Sequence, residues 1–554
     1  MSESGSAPSR PARARHSRPG GAVAPLRQHG SRSSAPTARG AERMPFNSIL
    51  FDESDSGGGT TEPSTLASFA DLHLDDVLTS ITAGRAEYDL IPLFSAPLRS
   101  VATIGYRHDI FRDLESAAVR GHIQAFATRM RSMRTHLALV RKLHYARERQ
   151  RWFVTSVADY CEAVSCLADD LGRAHLKSRG MLAFREYLVR YSESSGFVAL
   201  VDETTRLEKD LSGLKYCLHL KGNRVTVGPG STEADYSAEV ERTFARFKQG
   251  AVKDYRVRFP AGPGLNHVEA QILDRVARLY PEVFQALAEY CTRNSGVLDQ
   301  TISTFDREVQ FYLAYLDYIE LFERSALHFC YPRVSDSSKQ VCARDAFDVA
   351  LAGKLARDGG AVVCNDWDLN DPERVFVVSG PNQGGKTTFA RTFGQMHYLA
   401  AIGCPVPGSD AQLFLCDRLF THFEREEDLA TLRGKLEDEL VRLHEILEQA
   451  TPNSIIVMNE SFGSTTLRDA MLLGSNVLER ISKLDLLCVY VTFVDELASL
   501  GETIVSLTSM VDADDPRIRT YKLERHPADG RAYAAALAEK YGLDYVSLKA
   551  RVGA

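Results

Sequence analysis

"VFVVSGPNQGGKTTFARTFGQ", Val375 to Gln395, decides how the second half of this chain folds. It opens with five residues suited to a buried strand, Val375 to Ser379. It then turns through Gly380-x4-Gly385-Lys386-Thr387 into a helical pattern. A strand, a glycine-rich turn and a helix in that order make a phosphate-binding loop. Gly380, Gly384 and Gly385 let backbone N–H groups turn inward, and the start of the helix adds a dipole that favours an anion. Pro381, Asn382, Gln383 and Thr388 complete the expected nucleotide-binding stretch. Lys386 is expected at the β- and γ-phosphates and the Thr387 hydroxyl on Mg²⁺, so the expected ligands are ATP and Mg²⁺.

"SIIVMNES", Ser454 to Ser461, follows about seventy residues later. It reads as the second nucleotide strand, with Asn459 where an Asp is expected. A neutral side-chain oxygen reaches Mg²⁺ through a bound water and holds it less well than a carboxylate. Glu460 is expected to orient or deprotonate the attacking water.

The chain around these motifs has 554 residues, enough for two to four domains. Its 44% hydrophobic content is that of a soluble globular protein. The most apolar stretch, "LLCVYVTFV", is strand-sized, and no h-region follows the N-terminus, so neither membrane nor secretory signal is expected. The ten Cys are scattered without metal spacing and read as reduced thiols. Net charge is −7; residues 1–43 carry eight Arg against two Glu, or +6, which leaves −13 for the rest. Any DNA contact must then come from local basic surface, not from global charge.

Residues 1–65 read as a disordered tail rich in Arg, Ser, Pro and Gly, ending in the linker "SDSGGGTTEPST"; "MPFNSILF" from Met44 looks like a natural start. From about Phe69 to Glu323 the pattern is mostly helical. Leu298, Ile302, Phe305, Val309, Tyr312, Leu316 and Ile319 predict a heptad-like stripe on one long helix. "KYCLHLKGNRVTVGPG" predicts a hairpin turning at Gly222-Asn223. From Ala361 strands alternate with helices, as in an α/β domain. "RTFARFKQGAVKDYRVRF" supplies Arg246, Lys248, Lys253, Arg256 and Arg258 as candidates for DNA phosphates, with Lys221 and Arg224 on the hairpin. The basic run Arg129 to Trp152 reads instead as a helix with an apolar core face and a solvated basic one.

"GPNQGGKTT", "AIGCPVP", "DRLFTHFEREEDLA", "MNESFGSTT" and "VTFVDELASL" resemble, in order and spacing, blocks of the MutS DNA mismatch-repair ATPase domain, over about Asn365 to Arg551. "YDLIPLFSAPLRSVATIGYRHDIFRDLE" is similar, more weakly, to the start of the MutS core and lever region. The resemblance implies a multidomain fold. Its parts are an all-α core and lever over 66–345, an inserted β-containing clamp near 200–262, and an α/β P-loop ATPase of ABC type over 346–554. It implies catalytic roles for Lys386 and Glu460, Mg²⁺ at Thr387 and Asn459, and a homodimer in which a signature loop caps the partner's nucleotide. That loop is expected in "EEDLATLRGKLEDEL", with Arg433, Gly434 and Lys435 nearest the nucleotide.

Several positions depart from the family pattern. An expected Gly-Arg-Ser becomes Leu432-Arg433-Gly434, an expected His is Phe493, and an adenine-stacking aromatic is Val362. "FDE" at Phe51 to Glu53 matches the letters of the family's mismatch wedge but has no domain around it. The expectation is therefore a truncated MutS relative without the N-terminal mismatch reader. It would be cytoplasmic and nucleoid-associated, a dimeric DNA clamp switched by ATP with slow hydrolysis, acting in DNA repair. The alternative is a nucleotide-gated structural or interaction protein with little or no hydrolysis.

Overall fold

The computed structural model describes residues 46–52, 68–230, 239, 242–243, 264–323, 325–425, 434–512, 514–515, 518–527, 543 and 545–552. A helical part comes first: α1 (Leu74–Thr82), α2 (Val101–Leu114), α3 (Ala117–Lys142), α4 (Ala146–Arg173), α5 (Arg179–Ser192) and α6 (Ser195–Ser212). A hairpin of β1 (Tyr216–Lys221) and β2 (Arg224–Pro229) interrupts it, and α7 (His267–Leu279), α8 (Pro281–Arg293) and α9 (Gln300–Glu323) complete it. The α/β part that follows is built on β3 (Phe329–Cys330), β4 (Arg333–Ser335), β5 (Val341–Ala346), α10 (Val349–Asp358), β6 (Asn365–Leu369), β7 (Val375–Ser379) and α11 (Lys386–Ala401). It continues through β8 (Val406–Pro407), β9 (Asp410–Phe414), β10 (Leu419–Phe423), α12 (Lys435–Gln449), β11 (Ile455–Asn459), α13 (Leu467–Leu484), β12 (Leu487–Val491), β13 (Ile504–Val511) and β14 (Arg519–Arg525).

The main sheet runs β10-β11-β12-β7-β13-β14, parallel except for the antiparallel β14 at one edge. β7, β11 and β12 are buried at every residue. That is the signature of central parallel strands covered on both faces, and it explains why their sequences run apolar without alternation. The strands that carry the two nucleotide motifs, β7 and β11, are separated by β12 alone. In such sheets ligands sit beyond the carboxyl ends of the strands. A smaller sheet, β4-β9-β5-β6, joins residues from 333 onward to this part, upstream of the change in texture at Ala361.

In the helical part α3 and α4, of 26 and 28 residues, pack antiparallel. Five of the seven arginines of the basic run are held in ion pairs: Arg129 with Glu162, Arg131 with Glu87, Arg134 with Asp306, Arg147 with Asp274 and Arg151 with Glu208. Helix α9 departs from the expected single stripe. Ile302, Phe305, Val309, Tyr312 and Leu316 are buried as expected, but so are Phe311, Leu313, Ala314, Tyr315, Tyr318 and Phe322. The helix is therefore enclosed on most of its circumference. One of the layers around it is the segment 46–52. Glu308 accepts from Ile49 N and Ser48 Oγ, both at 2.8 Å, and the Tyr312 hydroxyl donates to Ile49 O. Phe51 lies against Arg107 and Asp52 pairs with Arg179, so two letters of "FDE" serve packing here.

Among the described residues no helix is long and apolar enough to cross a membrane, and no cluster of His, Cys, Asp and Glu has metal-holding geometry.

Candidate nucleotide site

The predicted loop forms between β7 and α11. Gly380 has φ 110°, Gln383 60° and Gly385 97°, so the chain curls with its amides turned inward. Helix α11 begins at Lys386 with Gly385 as its N-cap and no side-chain cap, which leaves its first amides available to an anion. Lys386 Nζ folds back on the loop and donates to Gly380 O at 2.9 Å, Pro381 O at 3.2 Å and Asn382 Oδ1 at 3.3 Å. Burial lowers its pKa, while the charges of Glu460 and Asp495 act in the opposite direction.

The Thr387 hydroxyl donates to Asn459 Oδ1 at 2.9 Å. That bond joins the two motifs that are 72 residues apart in sequence. With its proton committed to Asn459, the hydroxyl keeps its lone pairs, which suits it to a hard cation. Glu460 follows with φ 54° and its amide bonded to Val491 O at 2.9 Å on β12.

A cavity of about 430 Å³ opens here. Gln383 to Thr388 and Glu460 form its polar end, and Phe347, Leu351, Leu355, Val362 and Trp367 its apolar part. The volume and the two-ended lining fit a nucleotide, with phosphates at the glycine loop and a base against the apolar wall. Val362 does line this wall, and Phe347 and Tyr521 bring aromatic rings to it. The sequence reading missed both.

It also missed Ser509 on β13, whose hydroxyl donates to Gly384 O at 2.6 Å. A Cβ at Gly384 would lie 2.2 Å from that hydroxyl oxygen and 2.9 Å from Pro381 O, so this glycine is required by close approach. No local pattern marks Ser509; only the pairing of β13 beside β7 puts it there. Tyr521 has φ 58° and is 49% exposed, and its carbonyl accepts from Asn365 Nδ2.

The remaining predicted positions are more scattered. Arg433 lies outside the described residues, Gly434 is the N-cap of α12, and Lys435 is bonded to Glu424. Phe493 is 47% exposed beyond β12. Lys221 and Arg224 face each other across the hairpin turn, both exposed. Arg246, Lys248, Lys253, Arg256 and Arg258 lie outside the described residues.

Residues 376–549 match the family model MutS domain V. The C-terminal part of this chain is a MutS domain V, an ATPase domain. Proteins named DNA mismatch repair protein MutS are similar to part of this chain. The one from Orientia tsutsugamushi strain Boryong is 28% identical over 227 residues, 40% of this chain and 25% of that protein. That of strain Ikeda is 31% identical over 34% of this chain and 21% of its own length. That of Erythrobacter litoralis is 34% identical over 34% and 22%. The chain thus spans about a quarter of the length of the MutS proteins it matches. A helical region precedes MutS domain V here, and the phosphate loop and the Asn459 strand both lie inside the matched residues, Val375 alone falling just outside.

Proposed function

We propose that this chain is an ATP-switched, dimeric DNA-binding protein of MutS type, with residues 66–345 as core and lever, a clamp near 200–262, and an ABC-type ATPase over 346–554. It would work in DNA repair, inside the cell and close to the nucleoid. The observation that carries the reading is the Thr387–Asn459 hydrogen bond, which brings Lys386, Thr387 and Glu460 to one cavity.

Each residue has a distinct task in this reading. The loop N–H groups from Asn382 to Thr388 bind phosphate oxygens, and Lys386 exchanges its bonds to Gly380 O and Pro381 O for them. Thr387 offers its hydroxyl oxygen to Mg²⁺, and the Asn459 carbonyl orients that hydroxyl. Mg²⁺-ATP supplies the phosphoanhydride and neutralises charge on it. A Glu460 carboxylate oxygen takes a proton from water. Leu467, Met471 and Leu472, large apolar residues exposed on α13, supply a surface for a second copy. Exposed Lys221 and Arg224 on the hairpin suit backbone phosphates and positioning, not base readout.

Single-turnover ATP hydrolysis with and without DNA, beside salt-dependent binding to duplex, mismatched and branched DNA, tests the reading. We expect slow hydrolysis that Glu460→Gln lowers by at least about tenfold, and binding that weakens with salt. No binding to any of these DNAs at low salt would sink the DNA part. Asn459, the missing hydroxyl at Gly434 and Phe493 favour a second reading, a nucleotide-gated interaction protein. ATP binding and dimerisation with no turnover, and no effect of Glu460→Gln, would select it.

A further inference from the structure

Glu460 is followed by two residues whose hydrogen bonds both lead to Glu439 of α12, one of them through His422 of β10. Ser461 is buried, and its hydroxyl lies 2.8 Å from His422 Nδ1. His422 Nε2 lies 3.2 Å from the main-chain carbonyl of Glu439. A carbonyl only accepts, so Nε2 carries the proton. In the neutral ring Nδ1 is then the acceptor, and the Ser461 hydroxyl donates to it. Burial and the neighbouring Arg442 push the His422 pKa down to about 4, so the neutral ring is the form present near pH 7. The second tether is direct, because the Glu439 carboxylate accepts from Phe462 N at 3.2 Å.

Between these tethers the backbone is strained. Glu460 has φ 54° and Phe462 φ 65°, in the left-handed region that non-glycine side chains rarely adopt. Such conformations persist only where their surroundings over-determine them. Phe462 is fully buried in the cluster that also contains Leu443 and Leu447 of α12.

We propose that His422 and Glu439 are positioning residues for Glu460: they lock the turn from Glu460 to Phe462 so that the Glu460 carboxylate faces the phosphate loop. This rests on the reading of Glu460 as the group that handles water in ATP hydrolysis. Neither residue touches the nucleotide cavity, whose lining includes Glu460 but not His422, Ser461 or Glu439. A hydrogen-bonded pair kept only for burial would satisfy His422 anywhere in the core. Here two separate bonds converge on the two residues after Glu460, and both trace to Glu439.

The test compares His422→Leu, Ser461→Ala, their double variant and His422→Asn in the full chain. Single-turnover kcat and the Kd of a fluorescent ATP analogue are measured for each. Misplacing a reacting group by an ångström costs up to about a hundredfold in rate. We expect kcat to fall between about tenfold and a hundredfold in His422→Leu and Ser461→Ala, with Kd within about threefold of the parent. The double variant should be no slower than the slower single, since both remove one hydrogen bond. His422→Asn keeps an acceptor for Ser461 and should recover part of the rate. Parent-like kcat in variants that still bind the analogue, or losses that multiply in the double, would overturn the proposal. If His422→Leu does not fold, Ser461→Ala decides alone on the same criterion. Glu460→Gln separates the two layers. If it turns over like the parent, the reading of Glu460 and the proposal both fall. If it is slow while Ser461→Ala is not, only the positioning falls.

Discussion

At the scale of single residues, the nucleotide site is set by where protons and charges are committed. Thr387 gives its proton to a neutral oxygen on Asn459, so no carboxylate stands behind the hydroxyl. Asn459→Asp should therefore lower the Mg²⁺ concentration needed for ATP binding by about tenfold, the worth of one charge-assisted hydrogen bond. A metal titration of nucleotide binding checks this, and equal metal dependence in both proteins would count against the role given to Asn459. Gly384 gives a prediction of the opposite sign. Gly384→Ala puts a methyl 2.2 Å from Ser509 Oγ, and the loop must open to admit it. ATP affinity should fall by at least about tenfold and the melting temperature should fall with it, because Gly384 and Ser509 are both buried and the methyl displaces the bond between them. Ser509→Ala removes the donor to Gly384 O and should cost about 1–3 kcal/mol of stability, read from denaturant midpoints.

At the scale of elements, the sequence was most legible where a pattern is local. The strand before Gly380, the helix after it, the hairpin turn at Gly222 and the strand ending at Asn459 all follow from neighbouring residues. Helix α9 was only half legible. Asp306 and Glu308 break its apolar pattern, and their partners, Arg134 and the segment from Ser48 to Ile49, come from far away in the chain. The same limit hid His422, whose burial depends on α12 and on Ser461. His108 on α2, His397 on α11 and His422 on β10 each have a pKa pushed down to about 4 by burial. An unfolded chain binds protons at these groups from about pH 6.5 downward and the folded chain does not. Their contribution is therefore complete above pH 6.5 and is lost as the pH falls toward 4, at most about 3 kcal/mol for each. Asp306, raised to about 6 by burial, works in the other direction, as do Glu308, Asp348 and Glu439, whose carboxyls burial also raises. Unfolding free energies from urea curves should be lower at pH 4.5 than at pH 7.5, the direction the three rings set, and a rise would contradict the weight given to their burial.

At the scale of the whole molecule, buried polar links tie the helical part to the α/β part. Arg107 on α2 is almost fully buried and donates to Leu50 O at 2.9 Å and to Ile402 O at 2.7 Å, just beyond the end of α11. One guanidinium thus spans the N-terminal segment, the helical part and the helix that starts at the phosphate loop. Arg107→Met keeps the stem but leaves both carbonyls without this donor. It should cost about 3–5 kcal/mol, measured by chemical unfolding of the full chain. A loss under about 1 kcal/mol would show that the link is not needed. The segment 46–52 has a further consequence, in the order of synthesis. Its partners Glu308 and Tyr312 lie 259 and 263 residues downstream of Ile49. At ribosomal speed that is a wait of roughly 13 to 50 seconds. Through that interval Ile49 and Leu50 have left the ribosome with no α9 to cover them, so the nascent chain carries an apolar segment that a holding chaperone can bind until α9 emerges.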